Sequence, residues 1–419
     1  MSSAPSPLPR GAALMARLNE LARHSDEPGR LTRLYLSPAH RSAARLVAGW
    51  MEEAGMSVHM DAVGNVIGRY AGQTADAPAL LLGSHIDTVR DAGKYDGNLG
   101  VLAAIQAVAE LNAQGERLPV ALEVIAFGDE EGVRFPVTLS GSRAIAGTLD
   151  PSVLEARDAD GIRLGDALAA FGGQPDALAS ARHEASDVAG YVELHIEQGP
   201  VLESEDLAVG IVTAISGASR FTLDIDGEAG HAGTVPMHLR HDAVAAAAEI
   251  VLAVEDLARR TPDLVATVGC FTALPGAVNV IAAGARLTLD IRSPRDEVRL
   301  GAIAQLQRSF DAIAARRGVA LRLQRFYEAP AVACDDDLQA RLARAVERQN
   351  IAPRRLPSGA GHDGLAMAAL CPVGMLFVRC AGGVSHSPTE SITVEDAGTA
   401  VAVLLDFLRD YAPPRRPAC

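Results

Sequence analysis

Cysteine is scarce in this sequence and forms no pattern. The five residues, Cys270, Cys334, Cys371, Cys380 and Cys419, are odd in number and include no Cys-x-x-Cys pair. That argues against a disulfide framework and against a thiolate zinc site. Each thiol reads as a small packing or surface residue rather than a nucleophile. Uninterrupted hydrophobic runs are missing as well: the apolar stretch 243–258 is broken by Glu249, Glu255 and Asp256, so no membrane span is expected. Nor does the start resemble a secretory leader, since 1–10 is rich in Ser and Pro and 12–21 carries Arg17 and Asn19 inside its apolar segment. A cytoplasmic location is the expectation. Positive charge is in deficit, with 38 Lys and Arg against 52 Asp and Glu and a formal net charge of −14. Nucleic acid and anionic membrane are therefore excluded as expected partners. Any small anion bound here must be held by local charge, against a background that repels it.

What is present is an ordinary globular composition, 48% hydrophobic and 21% charged. At 419 residues the chain is long for a single core, so two domains are expected. Residues 11–56 read as two helices, the second over 38–54 with Ala43, Ala44, Leu46, Val47 and Trp50 as its apolar positions. Strands are expected at 63–70, 79–82 and 120–127, with a helix over 99–111, and this alternation implies an α/β sheet. The stretch 151–186 has no strong β pattern and reads as one or two helices, after which 191–196 resumes as strand. From Val209 the order becomes strand 209–225, helix 242–258, strands 264–274 and 285–291, helix 296–316, strand 319–326. That is the β-α-β-β-α-β order of a ferredoxin-like unit. A domain over 209–327 is thus expected to interrupt one built from 1–208 and 328–419. Helix 336–349, strand 373–378 and helix 394–411 complete the chain, and the Pro- and Arg-rich tail 413–419 is expected to be disordered.

Chemistry-bearing residues gather where the strands are expected to end. The run Ala79–Leu82 leads into Gly83-Ser84-His85-Ile86-Asp87-Thr88, and Lys94-Tyr95-Asp96-Gly97 opens the next helix. His85 and Asp87 are two apart and share a face. The carboxyl edge of an open α/β sheet is where ligands bind. Imidazole and carboxylate there suit zinc or manganese, with Asp87 available to orient His85. Read alone, the segment would also pass as a polar turn capped by Asp96. A second acidic loop, Gly128-Asp129-Glu130-Glu131-Gly132, follows strand 120–127. Adjacent residues in extended chain point opposite ways, so one glutamate could bind metal while the other faces a water. His195 ends a third strand, ahead of Glu197-Gln198-Gly199, and Gly382-Gly383-Val384-Ser385-His386 follows a fourth. Four such sites on one sheet point to a metal centre.

Those motifs, together with Glu193-Leu194-His195-Ile196-Glu197-Gln198-Gly199-Pro200 and Gly230-His231-Ala232-Gly233-Thr234-Val235-Pro236-Met237, resemble the hydantoinase/carbamoylase branch of the aminoacylase-type di-metal metallopeptidase family. The resemblance runs nearly the whole chain in order. It implies an aminopeptidase-like catalytic domain with an inserted ferredoxin-like domain acting as lid and dimerisation surface, and so a homodimer. Two divalent ions per protomer, Mn2+ or Zn2+, are implied: Asp96 bridges, His85 and His195 complete one site, Glu131 and His386 the other. His195 stands where peptidase relatives use a carboxylate. Glu130 takes the general-base position, His231 is implied to stabilise an oxyanion from across the dimer, and Asp87 supports from behind. Gln198, Asn279 and Arg292 match substrate-holding positions, as does the Gly359-Ala360 segment. An arginine fork at 292 suits a carboxylate, although an ion pair with Asp290 or Glu297 would look the same in sequence. The implied activity is metal-dependent hydrolysis of a linear ureido or carbamoyl C–N bond in a small anionic ureido-carboxylate. Allantoate is expected first, and N-carbamoyl-L-amino acids or β-ureidopropionate are the alternative. A non-catalytic binding protein is disfavoured because every ligand position and Glu130 are present. One departure is Arg379, where the pattern leads to proline.

Overall fold

The computed structural model describes residues 7–413, so the tail expected to be disordered lies outside the described residues from 414 onward. The chain divides into two compact units. One holds the described residues up to Thr213 with Cys334–Leu356 and those from Ala360 onward; the other holds Ala214–Ala333 with Pro357–Gly359.

The first unit is built on a mixed sheet. From one edge its strands run Ser57–Met60, Val66–Tyr70, Ala121–Phe127, Ala79–His85, Val188–Ile196, Val373–Val378 and Val209–Ile215. The four from Ala121–Phe127 to Val373–Val378 are parallel, and their neighbours on either side run antiparallel. Every residue of Ala79–His85 and of Ala121–Phe127 is buried, as expected where helices cover both faces of a parallel sheet. Register brings His85 level with Phe127, and His195 level with Phe377, so the four parallel strands release their loops at one edge. The helix Asn98–Ala113 is apolar nearly all round and is buried from Asn98 to Val108. Leu8–Leu21 and Val394–Asp410 contribute Leu14, Leu18, Val401 and Leu405 to the same core.

The second unit is a four-stranded antiparallel sheet in the order Ala320–Ala329, Gly217–Asp226, Gly284–Ser293, Val265–Leu274. Alternation along its strands sends Phe221, Leu223, Leu287 and Leu289 into a core with Ile250 and Val254 of helix Ala243–Arg260 and Leu306 and Phe310 of helix Asp296–Arg317. Asp242 caps the first of these helices by accepting from the amides of Val244 and Ala245.

Two local expectations need correction. The strand expected over 209–225 is two strands, Val209–Ile215 and Gly217–Asp226, which pair with different partners and break at Ser216. The small Ser216-Gly217-Ala218 segment was the available signal. The strand expected from Val63 begins at Val66, because Asp61 Oδ1 accepts from the amides of Val63 and Asn65 and folds the chain into a turn, with Gly64 at φ +92°. That turn joins Val66–Tyr70 to Ser57–Met60, a strand not anticipated from sequence. The short elements Ser140–Ile145, Arg355–Ser358 and Gly364–Met367 also went unseen. Among the described residues, no helix is long and apolar enough to cross a membrane.

Candidate active site

Asp96 is the hub of the sheet edge. Its Oδ1 lies 3.1 Å from His195 Nε2 and 3.4 Å from His85 Nε2, while Oδ2 lies 3.2 Å from His386 Nε2. Glu131 Oε2 is 3.6 Å from the same His386 nitrogen, and Glu130 Oε2 is 3.9 Å from His85 Nε2. His85 is the last residue of its strand and His195 the penultimate residue of its own, so backbone pairing fixes both rings. Gly97 follows Asp96 at φ +64°, and a Cβ there would sit 2.5 Å from the His85 ring. Only glycine allows the helix start to bring Asp96 so close.

Several expected roles are reassigned in detail. His85 Nδ1 pairs with the backbone carbonyl of Asp87 at 3.0 Å, leaving the Asp87 carboxylate at 3.8 Å. That carboxylate instead accepts the amides of Glu130 (3.2 Å) and Glu131 (3.3 Å), so it holds the acidic loop rather than the imidazole. Glu130 and Glu131 are not in extended chain and do not alternate: their loop is bent, with Asp129 at φ +70° and Gly132 at +60°. Both carboxylates converge with His85 within 4.8 Å. Arg379, unexpected at its position, pairs with buried Asp396 and with Asp206, and so anchors the start of helix Val394–Asp410 rather than reaching the cluster.

Sequence reasoning missed the support beneath Asp96. Glu390 Oε1 accepts the amides of Tyr95 and Asp96 at 2.8 and 3.1 Å. Ser385 Oγ donates to Asp96 Oδ2 at 2.8 Å, and Gln198 Nε2 donates to the same oxygen at 2.8 Å. Ser84 and the Gly364 amide hold buried Glu193, which groups with His195 and His362. Arg33, fully buried, donates to Ile86 O and Asn98 Oδ1 and ties the His85 loop to the helix start. The only signal for these was a polar residue inside an apolar or loop context.

Electrostatics match the crowding. Burial alone would raise Asp96, but His195, His386 and His85 hold its carboxyl well below the ordinary carboxylate range. Burial pushes Glu130 well above that range, and burial together with Asp96 pushes Glu131 up to about 7. The hydrogen bond to Asp96 raises His386 to about 9. Such a concentration of carboxylates and imidazoles fits divalent cations: His85, Asp96 and His195 place ligand atoms within 4.8 Å of one another, as do Asp96, Glu131 and His386.

Other expected residues fall in the second unit. His231 and Asn279 lie side by side, both exposed, with the Ala232 amide donating to Asn279 O at 3.0 Å. Arg292 donates to Asp290 through Nε and Nη2, both at 2.8 Å, and to Gly359 O through Nη1 at 2.7 Å. The sequence alternative of an Asp290 pair is therefore present, while two of the five guanidinium N–H groups stay uncommitted. Ala360, half-buried and next after Gly359 in the chain, belongs to the first unit.

A mixed α/β fold with this edge defines a class, and the family model for Peptidase family M20/M25/M40 matches residues 81–410. The chain belongs to that family, which is metal-dependent, and the residues here form candidate metal-binding groups. It is 45% identical to an N-carbamoyl-L-amino acid amidohydrolase of Geobacillus stearothermophilus, over 94% of this chain and 97% of that enzyme. An allantoate deiminase of Arabidopsis thaliana is 41% identical, over 94% of this chain and 81% of the other. A crystal structure of an amidase of the hydantoinase/carbamoylase family from Burkholderia multivorans superposes with a TM-score of 0.90 at 33% identity, covering 95% of this chain and 97% of that one. The resemblance to the hydantoinase/carbamoylase branch read from the motifs is thereby sustained.

Proposed function

We propose that this chain is a metal-dependent hydrolase of the C–N bond of a linear ureido acid. Allantoate is the first candidate substrate, and N-carbamoyl-L-amino acids or β-ureidopropionate are the alternative. The observation that carries the reading is Asp96: one buried carboxylate faces His85 and His195 through one oxygen and His386 through the other. His85, Asp96 and His195 would hold one divalent cation, and Asp96, Glu131 and His386 a second, manganese or zinc by ligand type. When bound, such cations polarise a carbonyl and acidify water. Glu130, half-buried with its Oε2 3.9 Å from His85 Nε2, is suited as a carboxylate to accept a proton from the attacking water and pass it to the leaving nitrogen. Gln198 commits its amide nitrogen to Asp96 and Ser385, which leaves a buried Oε1 with no partner among the described residues. That oxygen is an acceptor suited to a ureido amino group.

The rest of the reading concerns the second unit. Arg292 would hold the substrate carboxylate beside Gly359 and Ala360, with Asn279 as a further contact. This unit would serve as lid and dimerisation domain, 209–327 in extent, delivering His231 to the partner protomer's site in a homodimer. A cytoplasmic location belongs to the same proposal, in keeping with four free cysteines among the described residues. Relatives named for both substrates resemble the chain to a similar degree, so the substrate is decided by assay. Ammonia release from allantoate and N-carbamoyl-L-amino acids, and free amino acid release from dipeptides, with Mn2+ or Zn2+ added, are the direct test. Release from either ureido substrate and none from dipeptides is expected; turnover of dipeptides alone would overturn the proposal.

A further inference from the structure

The sheet of the second unit packs one face against its helices and presents arginines on the other. Register sets Arg220 directly opposite Asp290, and sets both Arg286 and Arg322 opposite Asp224. In the first row Asp290 accepts both bonds from Arg292 and a third from Arg220 Nε at 3.0 Å. One carboxylate therefore serves two guanidinium groups. The row keeps a net positive charge in a chain whose formal net charge is −14. This is the local charge that an anionic ligand needs here.

A cavity of about 740 Å³ opens on the same face, its lining including Arg220, Asp290, Arg292, Val265 and Phe326. Arg220 lies with its guanidinium carbon 4.7 Å from the Tyr327 ring centroid, which together with Asp290 fixes its plane. Its two terminal nitrogens donate to no acceptor among the described residues. An apolar group pressed against them would strip water from those N–H groups and return nothing. An acceptor oxygen would gain a charge-assisted hydrogen bond.

We propose that Arg220 is a specificity-determining residue. Placed beside Arg292 by their shared Asp290, it selects ureido acids whose side chain carries a hydrogen-bond-accepting oxygen, such as a second ureido group or a carboxamide, over apolar side chains of the same shape. This rests on the reading that Arg292 holds the substrate carboxylate in a ureido hydrolase.

N-carbamoyl-L-asparagine and N-carbamoyl-L-leucine are nearly isosteric and differ in that acceptor. With the full chain loaded with Mn2+, the ratio of kcat/KM for the two is expected to favour asparagine by roughly 10- to 100-fold. Arg220→Leu should bring the ratio to about one or below, the whole preference being lost with the donor. Because both substrates are measured on one preparation, any loss of folded protein cancels. Arg286→Leu, in the neighbouring row and outside the cavity lining, should keep the wild-type ratio. A wild-type ratio near one, or an Arg220→Leu ratio equal to wild type while both substrates are turned over, overturns the inference and leaves the ureido-hydrolase reading standing. No ammonia from either compound or from allantoate with the wild-type protein overturns both.

Discussion

Replacing Asp87 by asparagine separates two ways of supporting the metal cluster. In the structure the two Asp87 carboxylate oxygens accept the amides of Glu130 and Glu131, whereas His85 is steadied by the Asp87 backbone carbonyl, which the substitution leaves in place. Asparagine keeps one acceptor oxygen and turns the other into an amino group facing a backbone N–H. Losing one such bond in a buried site costs about 2 kcal/mol, or roughly 30-fold in the population of the correctly placed loop. Glu131 belongs to the Asp96, Glu131 and His386 group, and His85 to the other. A two-step Mn2+ titration by calorimetry on metal-depleted protein should therefore show one affinity weakened roughly 30-fold, the other staying within about 3-fold of wild type. Turnover should fall too, because Glu130 rides on the same loop. Equal weakening of both affinities would mean that the carboxylate orients His85 directly; no change in either would remove the loop-holding role.

Metal uptake should depend on pH in a definite direction. In the metal-free protein burial, and Asp96 after it, put Glu131 at about 7, while the bond to Asp96 puts His386 at about 9. Both must shed protons to ligate, so affinity should strengthen from pH ~6 to ~9 with proton release measurable in weak buffer, and a flat profile would contradict the ligand set. Arg292→Lys keeps the charge and loses the fork, so KM for a ureido acid should rise about tenfold or more; an unchanged KM would remove Arg292 from substrate binding. For the proposed dimer, mixing Glu130→Ala with His231→Ala chains, dissociating and reassociating them should restore roughly a quarter of wild-type activity, since about half the dimers are mixed and each has one intact site. No recovery would show that His231 serves its own protomer.

Several metal-type side chains were legible because they lie in the segment reached after a short apolar run: His85 three residues past Leu82, Glu130 and Glu131 three and four past Phe127, and His386 eight past Val378. A strand announces itself by its apolar residues, and the polar residue after it inherits a place at the edge. Glu390 carried no such signal, for its partners Tyr95 and Asp96 lie almost 300 residues away along the chain. The direction of the Asp87 carboxylate was equally hidden, since two-residue spacing gives a face but not which atom faces the ring. Reading 209–225 as one strand failed because both halves have β-forming residues, and the small Ser216-Gly217-Ala218 segment between them is a weak mark of the break that the different pairing partners make plain. Arg292 matched both of its sequence readings, a carboxylate-binding fork and an Asp290 pair, because five donors serve both at once.

Metal content and ammonia release, measured side by side in wild type, Glu130→Ala and Glu131→Ala, test the proposed chemistry most directly. Wild type should hold two divalent ions per protomer and release ammonia from a ureido acid. Glu130→Ala should keep the metal and lose turnover by roughly 100-fold or more, as removal of a general base requires. Glu131→Ala should lose metal as well as turnover. Wild-type metal content in Glu131→Ala, or near-wild-type ammonia release by Glu130→Ala, would contradict the assignment of cation holder and base.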